Sequence, residues 1–90
     1  MYLSVNSILA VGYPIVFPIP TMDELTIQWP KVLDEELTFT VINMQGQAVY
    51  SKTMAGALEH KLNVSEFSGG AYYLVITGND FKVDFRLVKL

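Results

Sequence analysis

The stretch AYYLVIT, residues 71–77, decides the fold class of this 90-residue chain. It is rich in aromatic and β-branched residues, and apolar side chains fall on both faces of an extended backbone. A strand that is apolar on both faces is typical of the interior of a sheet. The stretch therefore predicts a central β-strand.

The segments on either side of this stretch predict further strands. Apolar and polar residues alternate with a period of two in 24–29, 37–41, 58–64 and 81–87, the pattern of strands with one buried face. Gly46 and Gly78 lie in connections short enough for tight hairpins. Six or seven strands with short connections predict an all-β, antiparallel β-sandwich. Its predicted core contains Leu25, Ile27, Phe39, Val41, Leu62, Leu74, Ile76, Val83 and Phe85.

The composition excludes several classes of function. The net charge is −3, so no basic field is available for nucleic acid. The chain has no cysteine, which rules out disulfides, thiolate zinc sites and cysteine nucleophiles. Hydrophobic residues make up 51% of the chain and charged residues only 17%, an apolar balance for a domain of this size. We therefore expect one face or edge to contact another domain or a partner.

Residues that could carry chemistry stand isolated in the sequence. His60 is the only histidine and falls on the apolar face of its strand, which indicates a core or rim residue rather than a metal ligand. The acids at 34–36 are adjacent in an extended segment and cannot all face one calcium ion, so they indicate a solvated loop. No serine lies in a nucleophile elbow. The sequence thus predicts a protein that is not an enzyme and has no metal or cofactor.

The stretch FPIPTMDELTIQ, residues 17–28, places two prolines directly before a predicted strand. Pro18 and Pro20 lack backbone donors and bias the residues before them to extended geometry, so they belong to an edge or to a segment leading into a strand. Thr21 and Asp23 can bond nearby backbone groups and shape the bend into that strand. Taken by themselves, these residues indicate a rigid segment that leads into a strand and need no further function.

Four motifs in order resemble the C-terminal sorting domains of the type IX (Por) secretion system, type A. They are the Pro-x-Pro-Thr segment with its acid and strand, the hairpin VINMQGQAVY with Gly46 and Gln47, the stretch LNVSEFSGGAYYLVI, and the basic end FRLVKL. Ile19 stands where the family usually has Asn. The resemblance runs from about Phe17 to Leu90. We therefore divide the chain into a linker or first-strand segment, 1–16, and a sorting domain, 17–90.

The resemblance implies an Ig-like, Greek-key sandwich of about seven strands and a function without catalysis. Such a domain directs a larger upstream passenger protein through the periplasm and the outer membrane to the cell surface or the extracellular space. Its implied partners are the type IX translocon and surface sortase or attachment proteins. The alternative is a structural or adhesive Ig-like module of a cell-surface protein that has no address function.

The part of such a domain that the secretion machinery recognises would be a surface rather than a pocket. Alternation places Arg86 on the polar face of the last strand and Lys89 on the opposite face. An edge strand can be bound by strand addition, and the same edge predicts a homodimer. The candidate recognition residues are Pro18, Pro20, Asp23, Gly46, Gln47, Gly70, Tyr72, Arg86, Lys89 and Leu90.

Overall fold

The computed structural model describes residues 12–90, and this part of the chain folds into seven β-strands without a helix. The all-β class predicted from the period of two is confirmed. Within the same residues no helix could cross a membrane. Residues 1–11, most of the predicted segment 1–16, lie outside the described part. The strands are β1 (Ile15–Phe17), β2 (Glu24–Gln28), β3 (Leu37–Asn43), β4 (Ala48–Met54), β5 (Glu59–Asn63), β6 (Gly70–Thr77) and β7 (Lys82–Lys89).

The strands form two antiparallel sheets, ordered β1-β2-β5 and β4-β3-β6-β7. The chain crosses between the sheets after β2, after β4 and after β5. These crossings give the Ig-like, Greek-key sandwich that the family resemblance implied. Hairpins connect β3 to β4 and β6 to β7 within one sheet.

β6 lies inside the four-stranded sheet, between β3 and β7, as the sequence of residues 71–77 predicts. Its inner face carries Leu74 and Ile76, which are fully buried. Its outer face carries Tyr73, which is 41% exposed and pairs in register with Arg86 of β7. The outer face of this strand is therefore also apolar, which explains why its sequence lacks polar alternation.

The core between the sheets contains every predicted residue except Phe85, which is only partly buried. β7 is the outer strand of its sheet, so only part of its inner face is covered, at Val83 and Leu87. Side chains outside the strands complete the core, among them Leu33, which lies in no alternating segment, and Phe81, which begins the alternating segment 81–87 but precedes β7.

His60 lies in the core, as predicted, and both of its ring nitrogens have partners. Its Nδ1 accepts a hydrogen bond from Trp29 Nε1–H at 3.2 Å. Because Nδ1 accepts, Nε2 carries the proton and donates to the main-chain oxygen of Ala55 at 2.9 Å. The ring also packs on Phe39, with ring centroids 4.9 Å apart. These contacts make His60 a structural residue of the core.

The strand registers define two ends of the sandwich. At one end β7 finishes beside the start of β6, with Lys89 opposite Gly70, and β2 starts beside the end of β5. We call this end the tail pole and assign to it residues 18–23, 43–48, 64–72 and 88–90, with Tyr72 opposite Asn43. The opposite end, the far pole, contains residues 29–36, 55–58 and 78–81. Strand direction thus sorts the loops into two groups.

Candidate recognition surface at the tail pole

The fold brings all but one of the sequence-predicted recognition residues to the tail pole. The exception is Arg86, which projects from the outer face of the four-stranded sheet beside Tyr73. The others come from four separate parts of the chain that strand pairing brings to one end of the sandwich. They are Pro18, Pro20, Asp23, Gly46, Gln47, Gly70, Tyr72, Lys89 and Leu90.

The segment before β2 joins the end of β7 by main-chain hydrogen bonds. Thr21 N–H donates to Val88 O at 2.9 Å, and Leu90 N–H donates to Thr21 O at 2.9 Å. This parallel bridge places Lys89 between Thr21 on one side and Gly70 on the other. Strand addition at the terminal edge, which the sequence predicts, therefore meets the Thr21 segment at Val88 and Lys89, which have neighbouring main chain on both sides. Within the described residues, the β7 edge is open to strand addition only over 82–87, and β1, β4 and β5 are the other edges at which the predicted homodimer could pair.

The β3–β4 hairpin is built around Asn43, which the sequence motif did not single out. Asn43 Oδ1 accepts hydrogen bonds from the main-chain N–H groups of Gln45 and Gln47, at 3.0 and 2.9 Å. Asn43 Nδ2 donates to Gln47 Oε1 at 3.1 Å. Gly46 has a φ of 84°, a left-handed conformation that glycine adopts without strain. Gly46 and Gln47 therefore stabilise the conformation of the turn itself.

Tyr72 fixes the loop at 64–70 to the start of β6. Its hydroxyl donates to Ser68 O at 2.6 Å, and its side chain is 8% exposed. A tyrosine at the start of this strand that bonds the backbone just upstream is the tyrosine corner of Ig-like sandwiches. Phe67 packs on the Tyr72 ring, with centroids 5.4 Å apart, and on Tyr50 at 6.2 Å. Burial raises the pKa of Tyr50, because lost hydration disfavours the phenolate.

A groove of about 600 Å³ separates the β3–β4 hairpin from the 64–70 loop. Glu66 and Tyr72 are the titratable side chains of its lining, and the Tyr72 hydroxyl is already bonded to the backbone. The groove thus lacks the converging acid and base that hydrolytic chemistry needs. Among residues 12–90 there is also no group of three side chains placed to hold a metal ion.

Three exposed apolar side chains flank the tail in sequence or across the Thr21 bridge. Met22 is 62% exposed, Ile19 45% and Leu90 64%. All three adjoin the Thr21–Lys89 bridge in sequence: Ile19 lies two positions and Met22 one position from Thr21, and Leu90 directly follows Lys89. The alternation of strands does not apply to such loop residues, and the bond between Thr21 and the tail brings their chain segments together. Phe17 and Met44 are further exposed apolar residues at this pole or its margin.

Comparison with known proteins identifies the family of the chain. The family model for secretion system C-terminal sorting domains matches residues 15–89. The chain is also 35% identical, over 83 residues, to ulvan lyase NLR42 of Nonlabens ulvanivorans. That match covers 90% of this chain but only 15% of the lyase. The chain therefore belongs to the type IX secretion system C-terminal sorting domains, which are non-catalytic export signals of larger passenger proteins.

Proposed function

We propose that the tail pole is the surface by which the type IX machinery recognises this domain. In this proposal the translocon captures the folded domain in the periplasm and carries the attached passenger across the outer membrane. A surface sortase or attachment protein then acts on the exported chain. Recognition uses contact rather than turnover, and it involves no cofactor and no nucleic acid.

The course of the chain supports this assignment. β1 begins with Ile15 opposite Gln28, at the far pole, and runs toward the tail pole. Gly12 lies close to Pro30, also at the far pole. The described part of the chain thus begins at the end opposite the tail. The length of β2 separates the two sites by roughly 15 Å at about 3.3 Å per residue. Gly12 and the start of β1 therefore leave the tail pole uncovered.

The chemistry of the pole favours a partner with an apolar contact surface. Met22, Ile19 and Leu90 are exposed there, and clustered exposed apolar side chains mark interaction sites. Asp23 and Lys89 flank them and supply charges of both signs. An apolar centre with a charged rim is the usual composition of a protein–protein interface.

The decisive experiment fuses the full chain to a periplasmic reporter in a host with a type IX system. Met22→Ser is the test variant and Val32→Ser its matched control, since Met22 is 62% exposed at the tail pole and Val32 60% exposed at the far pole. Burying the exposed part of a methionine contributes about 1–2 kcal/mol. Met22→Ser should therefore weaken capture roughly fivefold to thirtyfold and lower surface display of the reporter, while Val32→Ser displays it as the unaltered chain does.

Two outcomes would contradict the proposal. Retention of the unaltered fusion in the periplasm would favour the structural or adhesive module. Equal loss of display in both serine variants would mean that the tail pole has no special role. Deletion of residues 85–90 is a poor substitute, because it removes the fully buried Leu87 and the bonds to Thr21 and so disrupts the fold itself.

A further inference from the structure

Thr21 is a fully buried polar residue whose hydrogen-bonding groups all meet the protein. Its N–H and C=O bond the main chain of Val88 and Leu90. Its Oγ1 donates to the main-chain oxygen of Glu24, the first residue of β2, at 2.8 Å. β2 belongs to the three-stranded sheet and β7 to the four-stranded sheet, so this one residue ties the two sheets together at the tail.

The bridge changes which part of the chain forms the edge of the sheet. Lys89 lies between Gly70 and Thr21, and Thr21 bonds Val88 and Leu90, so Thr21 covers the outer edge of the tail. A partner strand can add to residues 88–90 only after Thr21 has left. While Thr21 stays, the partner meets side chains of the proline segment and of the tail as one surface.

We propose that Thr21 is a positioning residue that holds the tail in the sheet and so presents Leu90 next to Ile19 and Met22. We call these two actions of Thr21 the holding role, which keeps the tail in the sheet, and the presentation role, which places Leu90 beside Ile19 and Met22. The presentation role rests on the proposed function of the tail pole, whereas the holding role is a property of the isolated domain. The Oγ1–Glu24 bond fixes the bend of the proline segment, and the bend in turn places the two main-chain groups that bind Val88 and Leu90.

Amide hydrogen exchange of the full chain, measured by NMR, tests the holding role. In the unaltered chain, the Leu90 amide should be protected although it belongs to the last residue of the sequence. Thr21→Val keeps the shape but removes the hydroxyl, and the loss of one hydrogen bond should speed Leu90 exchange roughly threefold to tenfold. Thr21→Ser retains the hydroxyl and should keep most of the protection. Thr38→Val removes a hydroxyl bonded to Thr53 on the outer face and should leave Leu90 unchanged.

The reporter fusion tests the presentation role with the same variants. Thr21→Val should lower surface display at least threefold, with display restored in Thr21→Ser and unaffected in Thr38→Val. An unprotected Leu90 amide in the unaltered chain, or equal Leu90 exchange in Thr21→Val and Thr38→Val, overturns the holding role. Faster exchange with undiminished display overturns presentation and leaves the sorting function standing. Failure of the unaltered fusion to reach the surface refutes the proposed function and presentation with it, while the exchange data still decide the holding role.

Discussion

Replacing Tyr72 with phenylalanine tests whether the tyrosine corner stabilises the tail pole. The change removes the hydroxyl that donates to Ser68 O at 2.6 Å and leaves the ring in contact with Phe67. A hydrogen bond of this kind contributes about 0.5–1.5 kcal/mol net. Ser68 is exposed, so water can reach its freed oxygen, and we expect a loss of about 1 kcal/mol in the free energy of unfolding. For a domain of this size that loss lowers Tm by roughly 4–8 °C.

Urea unfolding followed by tryptophan fluorescence measures this loss directly, because Trp29 is the only tryptophan and is 2% exposed. Tyr73→Phe is the matched control. The Tyr73 hydroxyl has no hydrogen-bond partner within residues 12–90, so its removal should change stability by less than about 0.5 kcal/mol. Equal stability of the two variants would refute the reasoning, and so would a loss above about 3 kcal/mol for Tyr72→Phe, which would mean that ring packing had changed.

Two further predictions use the same unfolding assay. His60→Leu should destabilise the domain by about 1–3 kcal/mol, because it leaves the buried Trp29 Nε1–H without a partner, whereas water can reach the oxygen of the exposed Ala55; a loss below about 1 kcal/mol would contradict the assigned Trp29–His60 bond. The raised pKa of Tyr50 means that the folded state holds this proton more tightly than the unfolded state does. The stabilisation that this proton provides is complete below the unfolded pKa of about 10 and is lost as pH rises through the folded pKa. From pH 9 to 11 the free energy of unfolding of the unaltered chain should therefore fall more than that of Tyr50→Phe. Equal falls would contradict a raised pKa of Tyr50.

The strands can be predicted because apolar and polar side chains alternate along them according to which face is buried. Leu25 and Ile27 in β2, and Leu74 and Ile76 in β6, follow the period of two and are fully buried. His60 was assigned to the core by the same rule. Phe85 shows the limit of that rule, since alternation gives the face of a strand but not how far the opposite sheet extends over it.

The arrangement of the tail pole was not predictable, because its bonds join residues distant in sequence. Thr21 meets Val88 and Leu90 through main-chain atoms, which carry no sequence signal. Asn43 organises its hairpin through a side-chain amide, and any turn-forming residue would have looked equally suitable there. The sequence accordingly predicts an edge strand at this end of the domain but does not reveal that Thr21 pairs with Lys89 there.

The residues that carry the family resemblance mostly build the tail pole rather than line its outer surface. Gly46 and Gly70 both have φ angles in the range that favours glycine, at 84° and 148°. Gln47 bonds Asn43, and Tyr72 bonds Ser68. Substituting these residues should therefore impair export through the fold, with a matching loss of stability. Substitution of Ile19, Met22 or Leu90, which are exposed and lie outside those bonds, should impair it without such a loss. Measuring stability and display on the same variants separates the residues that shape the surface from those that a partner contacts.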